Sequence, residues 1–355
     1  MVKTLMTGNA AIGEAAIRSG CQCYFGYPIT PQNELTEYMA ANLAHRPGCT
    51  FIQAESEISA INMVHGASSS GARAMTSSSS PGISLKQEGI SYLAGCRLPA
   101  VIVNICRGGP GLGSISGAQS DYFQATRGGG HGDYRTIVLA PSSVQESADL
   151  THRAFDLADK YLMPVLILGD GTIGQMMEPV EFSFKAPSVL PIRSDALRGA
   201  KGRPSRIVCS FSSNPADVEE INWSLFRRYK QIEKDEISYE TYLIDDAKLI
   251  ITAFGIGARI AKGAIKLAQA AGMKVGMFRP ITLWPFPRNE VKALLKQSQV
   301  FLDFEMNMGQ MIDDIKLALE GQGEVIFYGR TGGVLATPSE VLRVISRIYY
   351  QKGLS

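Results

Sequence analysis

The sequence lacks the residues that would let it carry metal or redox chemistry by itself. Its six cysteines, Cys21, Cys23, Cys49, Cys96, Cys106 and Cys209, are scattered without paired spacing and form no disulfide framework. Cys21-x-Cys23 is too tight for a zinc knuckle, and the absence of any C-x-x-C-x-x-C run excludes an iron–sulfur cluster held by this chain alone. Four histidines, His45, His65, His131 and His152, show no metal-ligand spacing. Neither sign of charge is in excess: 35 Lys and Arg face 33 Asp and Glu, a formal net charge of +2, so no field recruits nucleic acid or an anionic membrane. No apolar run approaches bilayer-spanning length, and the start, MVKTLMTGNAAIG, has no basic segment followed by an apolar one and a cleavage site. The expectation is a cytoplasmic protein that handles small molecules and protein partners.

What the sequence has is apolar mass in alternating segments. At 355 residues and 45% hydrophobic composition it is too long for one ordinary domain, which predicts two. In the first half, strands at 4–7, 23–27, 51–53, 73–76, 99–105, around Ile137 and at 165–169 alternate with helices. The longest of these helices spans 143–160, and a short one lies near Tyr122. Repeated β-α-β with near-continuous apolar strands is the pattern of a mostly parallel, doubly wound α/β sheet covered on both faces. Ligands of such sheets sit beyond the carboxyl ends of strands. YPITP, TSSSSPG, CRGGPGLG and GGGHGD all fall there. From about 179 to 246 the composition turns polar and charged, which predicts a connector with one solvated amphipathic helix. A second, smaller α/β unit follows, so the division is 1–180, connector 181–245, and 246–355.

Two motifs are weighed as decoys. Gly255-Ile256-Gly257 follows a strand, but the third glycine of a dinucleotide fingerprint is replaced by Ile260, so a plain strand-to-helix turn is the better reading. Gly169-Asp170-Gly171 opens like a diphosphate and magnesium motif, but no Asn follows at the spacing that motif needs; a strand end fits better.

The chain is organised around FIQAESEISAINMVHG at 51–66. Phe51, Ile52 and Gln53 read as a strand end, and Ile58, Ile61 and His65 recur at helical spacing, so Glu57 sits at a strand-to-helix junction. On the residues alone, a carboxylate there is a helix-start residue favoured by the macrodipole.

YPITP at 27–31, QAESEISAINMVHGAS at 53–68, MTSSSSPGISLKQEGI at 75–90, RGGPGLG at 107–113 and GGGHGDY at 128–134 together resemble the α subunit of 2-oxoacid:ferredoxin oxidoreductases. The resemblance resumes at RPITLWPFP, 279–287, which looks like the family's transketolase C-terminal-like domain. It is nearest the 2-oxoisovalerate (3-methyl-2-oxobutanoate, branched-chain) type, with 2-oxoglutarate and pyruvate types nearby. The resemblance implies an α/β fold in which a doubly wound, pyrimidine-type thiamine diphosphate-binding domain precedes the smaller domain. It implies a site split between chains: a β subunit binds the diphosphate and Mg2+ and carries a [4Fe-4S] cluster, γ and ferredoxin-like δ subunits complete a dimer of hetero-oligomers, and coenzyme A and ferredoxin take the acyl group and electrons.

The residues carried over are these. Matching the motif back from HGA places the pyrimidine-binding glutamate at Glu57, with Glu55 the fallback; its carboxylate would bond the pyrimidine ring nitrogen. Pro28, Ile29 and Ser79 join Glu57 as cofactor contacts. Arg107 would take the substrate carboxylate in a bidentate fork, with Thr30 beside it. Read alone, Arg107 is a surface ion-pair residue and Thr30 a turn residue. His131 contacts substrate or coenzyme A, or else orders its glycines. Lys86 would supply the second cation a dicarboxylic oxo acid needs, or else lies on the surface; branched acids need only an apolar wall. A non-catalytic assembly subunit is the reading from another class.

Overall fold

The computed structural model describes residues 3–184 and 193–354; the part of the expected connector at 185–192 lies outside the described residues. A seven-stranded sheet runs in the order Thr282–Trp284, Ile137–Leu139, Pro164–Asp170, Ala100–Cys106, Ala74–Ser78, Cys23–Gly26, Thr50–Gln53. All neighbours are parallel except the first pair. Ala74–Ser78, Ala100–Cys106 and Pro164–Asp170 are buried at every position, as a parallel sheet covered on both faces requires. The chain fills the edge strand Thr50–Gln53 and then crosses over Cys23–Gly26 to Ala74–Ser78 through the helix Glu57–Ser69. That reversal opens a crevice at the carboxyl ends of these strands.

The smaller unit is a five-stranded sheet ordered Glu324–Gly329, Val300–Glu305, Leu249–Thr252, Val275–Pro280, Tyr239–Tyr242, with the last strand antiparallel. Three expectations change. The strand Thr4–Thr7 pairs antiparallel with Met177–Val180 in a separate ribbon, because its Thr4 and Leu5 are exposed and a central parallel strand must bury both faces. Tyr239–Tyr242, inside the 181–245 segment, is an edge strand of the second sheet. Thr282–Trp284, inside 246–355, joins the first.

The two units are tied by polar contacts as well as by this strand. Arg279, 1% exposed, donates to both oxygens of Glu146 at 2.8 and 2.6 Å and to Glu240 at 2.9 Å. The expected solvated helix, Pro215–Asp235, docks instead: it buries Leu225, Tyr229 and Ile232, the Tyr229 ring standing edge-on to Trp284 at 5.7 Å.

Candidate active site

Loops at the carboxyl ends of neighbouring strands are linked to one another beside Glu57: Arg107 bonds Ser80, Thr30 and Leu112, and Gly82 packs on Glu57. Glu57 opens the helix Glu57–Ser69, whose N-cap Ser56 accepts from the Ser59 amide at 3.2 Å. Glu57 is 6% exposed, and no donor among the described residues hydrogen-bonds its carboxylate. The backbone of Gly82, at the start of the helix Ser80–Gly95, packs so closely that a Cβ there would lie 2.6 Å from Glu57 Oε1. The positive end of that second helix therefore also faces the carboxylate.

Around it, buried polar atoms are left without partners among the described residues: Ser78 Oγ, Ser79 Oγ, Asn104 Oδ1 and Arg107 Nε. Each unmet buried group costs about 1–3 kcal/mol, and native structures leave few of them. Four on two adjacent strand ends, beside an unbonded carboxylate, fit a polar ligand seated there. Ser79 is the N-cap position of Ser80–Gly95 but makes no cap bond, so its hydroxyl is free for such a ligand.

Arg107 is 7% exposed, which overturns the surface ion-pair alternative. Its Nη1 donates to the Thr30 carbonyl at 2.9 Å and its Nη2 to the Leu112 carbonyl at 3.0 Å, so the guanidinium joins the 27–31 loop to the 107–113 loop. Thr30 and Ile29 are half-buried and Pro28 is exposed along the same edge; Thr30 Oγ1 lies 3.5 Å from the Asn33 amide nitrogen.

Lys86 is wholly buried, so the surface alternative fails for it too. Its Nζ donates to Thr76 Oγ1 at 2.7 Å and to the Ser77 carbonyl at 2.9 Å. Burial pulls its ammonium down to about 7, and the Glu57 carboxylate opposes that pull. His131 is not brought to Glu57: it is exposed, 3.5 Å from Ser91 Oγ and edge-on to Tyr92 at 6.0 Å. Ser91 lies about 17 Å along the helix from Ser80 at 1.5 Å per residue. Its short glycine loop follows the helix flank, where Gly129 and Gly130 press on Gln87.

Asp121 was missed in the sequence. Its Oδ2 accepts from Ser80 Oγ at 2.6 Å and Asn104 Nδ2 at 2.8 Å, and the Arg107 amide donates to Ser80 Oγ at 3.0 Å. Only the fold brings these together, since Asp121 stands in no motif of its own. Both decoys are structural. Asp170, 2% exposed, caps the helix Gly171–Gln175 by accepting from the Thr172 and Ile173 amides at 2.9 and 3.1 Å. Gly255 packs on Gln119, whose Nε2 donates to the Phe254 carbonyl at 2.7 Å and fills the turn a phosphate would need. A separate cavity of about 980 Å³, lined by Arg135, Trp223, Phe226, Tyr229, Lys230 and Trp284, shares no residue with this cluster.

A doubly wound sheet with an acidic helix start at its switch point and unpaired polar groups beside it defines a chain of the thiamine diphosphate-binding class. Residues 14–240 match the family described as pyruvate flavodoxin/ferredoxin oxidoreductase, thiamine diphosphate-binding, and residues 247–341 match pyruvate:ferredoxin oxidoreductase core domain II. The chain belongs to the 2-oxoacid:ferredoxin oxidoreductases and is an oxidoreductase subunit. It is 48% identical to the ketoisovalerate oxidoreductase subunit VorB of Methanothermobacter marburgensis, over 98% of each chain. It is 37% identical to the 2-oxoglutarate synthase subunit KorA of Methanothermobacter thermautotrophicus, over 96% of this chain and 97% of that one. Among solved structures it resembles 2-oxoglutarate:ferredoxin oxidoreductase from Magnetococcus marinus, with a TM-score of 0.85 at 26% identity, covering 97% of this chain and 65% of that one. A split-gene transketolase shares the fold, with a TM-score of 0.60 at 14% identity over 98% of this chain and 97% of that one.

Proposed function

We propose that this chain is the cofactor-activating subunit of a coenzyme A-dependent 2-oxo acid:ferredoxin oxidoreductase acting on branched-chain acids such as 3-methyl-2-oxobutanoate. The acid loses carbon dioxide, coenzyme A takes the acyl group, and two electrons leave to ferredoxin one at a time. The observation that carries this reading is the Glu57 carboxylate, nearly buried, unbonded, and set at the switch point of the sheet. Thiamine diphosphate, when bound, supplies the carbon nucleophile for the oxo group and the electron sink for decarboxylation.

Glu57 holds a proton at the pyrimidine ring nitrogen, and Ser79, Pro28 and Ile29 line the ring. Arg107 fixes the wall on which substrate lies: Nη1 and Nη2 each spend one N–H on a carbonyl, its Nε is unpaired and available to a substrate carboxylate, and Thr30 orients the oxo group beside it. The β subunit closes this face, bringing the diphosphate and Mg2+ site and a cluster; γ and δ subunits pass electrons on to ferredoxin in a cytoplasmic dimer of hetero-oligomers. The exposed Leu112, whose carbonyl Arg107 holds, suits such a partner. The 1–180, 181–245 and 246–355 division belongs to the same proposal.

The branched-chain choice is supported by the 48% identical relative and by Lys86, whose ammonium is buried and turned away from a dicarboxylate's second charge. The 37% identical relative keeps 2-oxoglutarate as the alternative. The test is viologen dye reduction by the co-expressed complex with coenzyme A, comparing 2-oxoisovalerate, 2-oxoglutarate and pyruvate in wild type and Glu57→Gln. Wild type reduces dye fastest with 2-oxoisovalerate, and Glu57→Gln loses activity with its assembly intact. Full activity of the mutant returns Glu57 to a helix-start residue and revives the assembly-subunit reading.

A further inference from the structure

A lysine is almost never fully buried without a charged partner, because an ammonium in a low-dielectric interior is costly. Lys86 has no exposed surface, yet its two hydrogen-bond acceptors, Thr76 Oγ1 and the Ser77 carbonyl, are neutral. The carboxylate whose field opposes its desolvation is Glu57. Helical spacing explains how they meet. Gly82 presses its backbone on Glu57 Oε1, and Lys86 lies one turn further on in the same helix, on the same face. Glu57 in turn has no hydrogen-bond donor among the described residues.

We propose that Lys86 is a positioning residue for Glu57: its ammonium balances the carboxylate from the side of the helix Ser80–Gly95, leaving the oxygen that Gly82 does not cover free to face the cofactor ring. This rests on the reading that Glu57 meets thiamine diphosphate, and it reassigns Lys86 from substrate selection to cofactor activation. A cation in that place lets a nearly buried carboxylate stay unbonded on its outer side. The competing role is a mechanical one, in which Lys86 merely ties the helix Ser80–Gly95 to the strand Ala74–Ser78 through Thr76 and Ser77.

The experiment is calorimetric titration of thiamine diphosphate with Mg2+ into the cofactor-stripped, co-expressed complex, using Glu57→Gln, Lys86→Met, Lys86→Gln and the Lys86→Met/Glu57→Gln double variant. Lys86→Met is expected to weaken binding by about tenfold or more, and by less than about twofold when Glu57 is already Gln, because coupled residues are not additive. Lys86→Gln, which keeps a donor for the Ser77 carbonyl but no charge, is expected to match Lys86→Met; it also carries the test if the methionine variant fails to assemble. In the cofactor-saturated complex kcat falls while KM for the oxo acid stays within about twofold, since Lys86 does not touch substrate. The proposal is overturned if Lys86→Met or Lys86→Gln binds like wild type, or if the Lys86→Met loss carries over in full into Glu57→Gln. If Glu57→Gln itself binds the cofactor like wild type, the underlying reading of Glu57 fails, whatever Lys86 does.

Discussion

Gly82→Ala separates the stability of the helix from the placement of the carboxylate. Gly82 has an ordinary helical backbone, and in a helix interior Gly→Ala normally stabilises by about 0.5–1 kcal/mol. Here the new methyl would lie 2.6 Å from Glu57 Oε1 and 3.0 Å from its Cγ, with Ser78 Oγ nearer still. Overpacking of this kind costs about 1–3 kcal/mol, so the net loss of stability is about 0–2.5 kcal/mol. The activity loss is far larger, because the methyl moves Glu57 by about an ångström and misplacement on that scale costs on the order of a hundredfold. Gly66→Ala is the control: Gly66 lies in the neighbouring helix with nothing within 4 Å of its would-be Cβ. It should gain about 0.5–1 kcal/mol with unchanged turnover. Thermal unfolding and dye reduction by the assembled complex measure both quantities. A Gly82→Ala complex with wild-type turnover refutes the argument that the site depends on where this carboxylate is held.

Three further outcomes follow from the buried charges. Arg279→Met strips the counter-charge from Glu146 and leaves Glu240 to Lys262 alone, and thermal or denaturant unfolding should show a loss of about 3–5 kcal/mol. Burial pushes Glu146 up, but Arg279 outweighs it and holds the carboxyl below its ordinary value. Its stability contribution is therefore present above about pH 4.5 and lost as acid titration passes through the folded value, a loss that urea midpoints should show in wild type and not in Arg279→Met. Asp170 runs the other way: burial pushes it up to about 6, so the folded state holds its proton longer than the unfolded chain. Stability should then fall by up to about 3 kcal/mol as pH rises from about 4 to about 6. Asp170→Asn keeps an N-cap acceptor and should flatten that slope; an unchanged slope assigns it to other groups. Arg107→Lys keeps the charge but not the fork that holds Thr30 and Leu112. It should cost about 1–2 kcal/mol in unfolding and raise KM for the oxo acid.

The elements that were legible are those whose chemistry is local. Apolar runs such as 100–106 and 164–170 are short, bounded by turn residues and buried at every position, as parallel strands covered on both faces are, and YPITP, SSSSPG and RGGPGLG are loops because proline and glycine set their backbones. Pairing across the chain was not legible. Thr282–Trp284 leaves the second unit for the first by pairing Thr282 with Leu139 and Trp284 with Val138, the Ala140 amide donating to the Ile281 carbonyl at 2.9 Å. No spacing in the sequence announces that contact. The place of His131 was not legible for a related reason: a glycine-rich loop fixes no direction of its own, and this one follows the flank of Ser80–Gly95 where Gly129 and Gly130 meet Gln87.

Lys86 shows why the site needed the fold. In sequence it is a charged residue in an amphipathic-looking stretch, SLKQEG, and its charge suggests solvent or substrate. In the fold the same helical turn places Gly82 on Glu57, so a residue four positions on must point at the sheet and not at water. An ammonium in that position does not stabilise the chain as well as a leucine would in a dry core. What it can do is set a positive charge behind a carboxylate that a cofactor will cover. The arrangement is costly for the isolated chain, with Ser78, Ser79 and Asn104 also left unmet around it, and it becomes favourable once a polar ligand satisfies the outer side of the site.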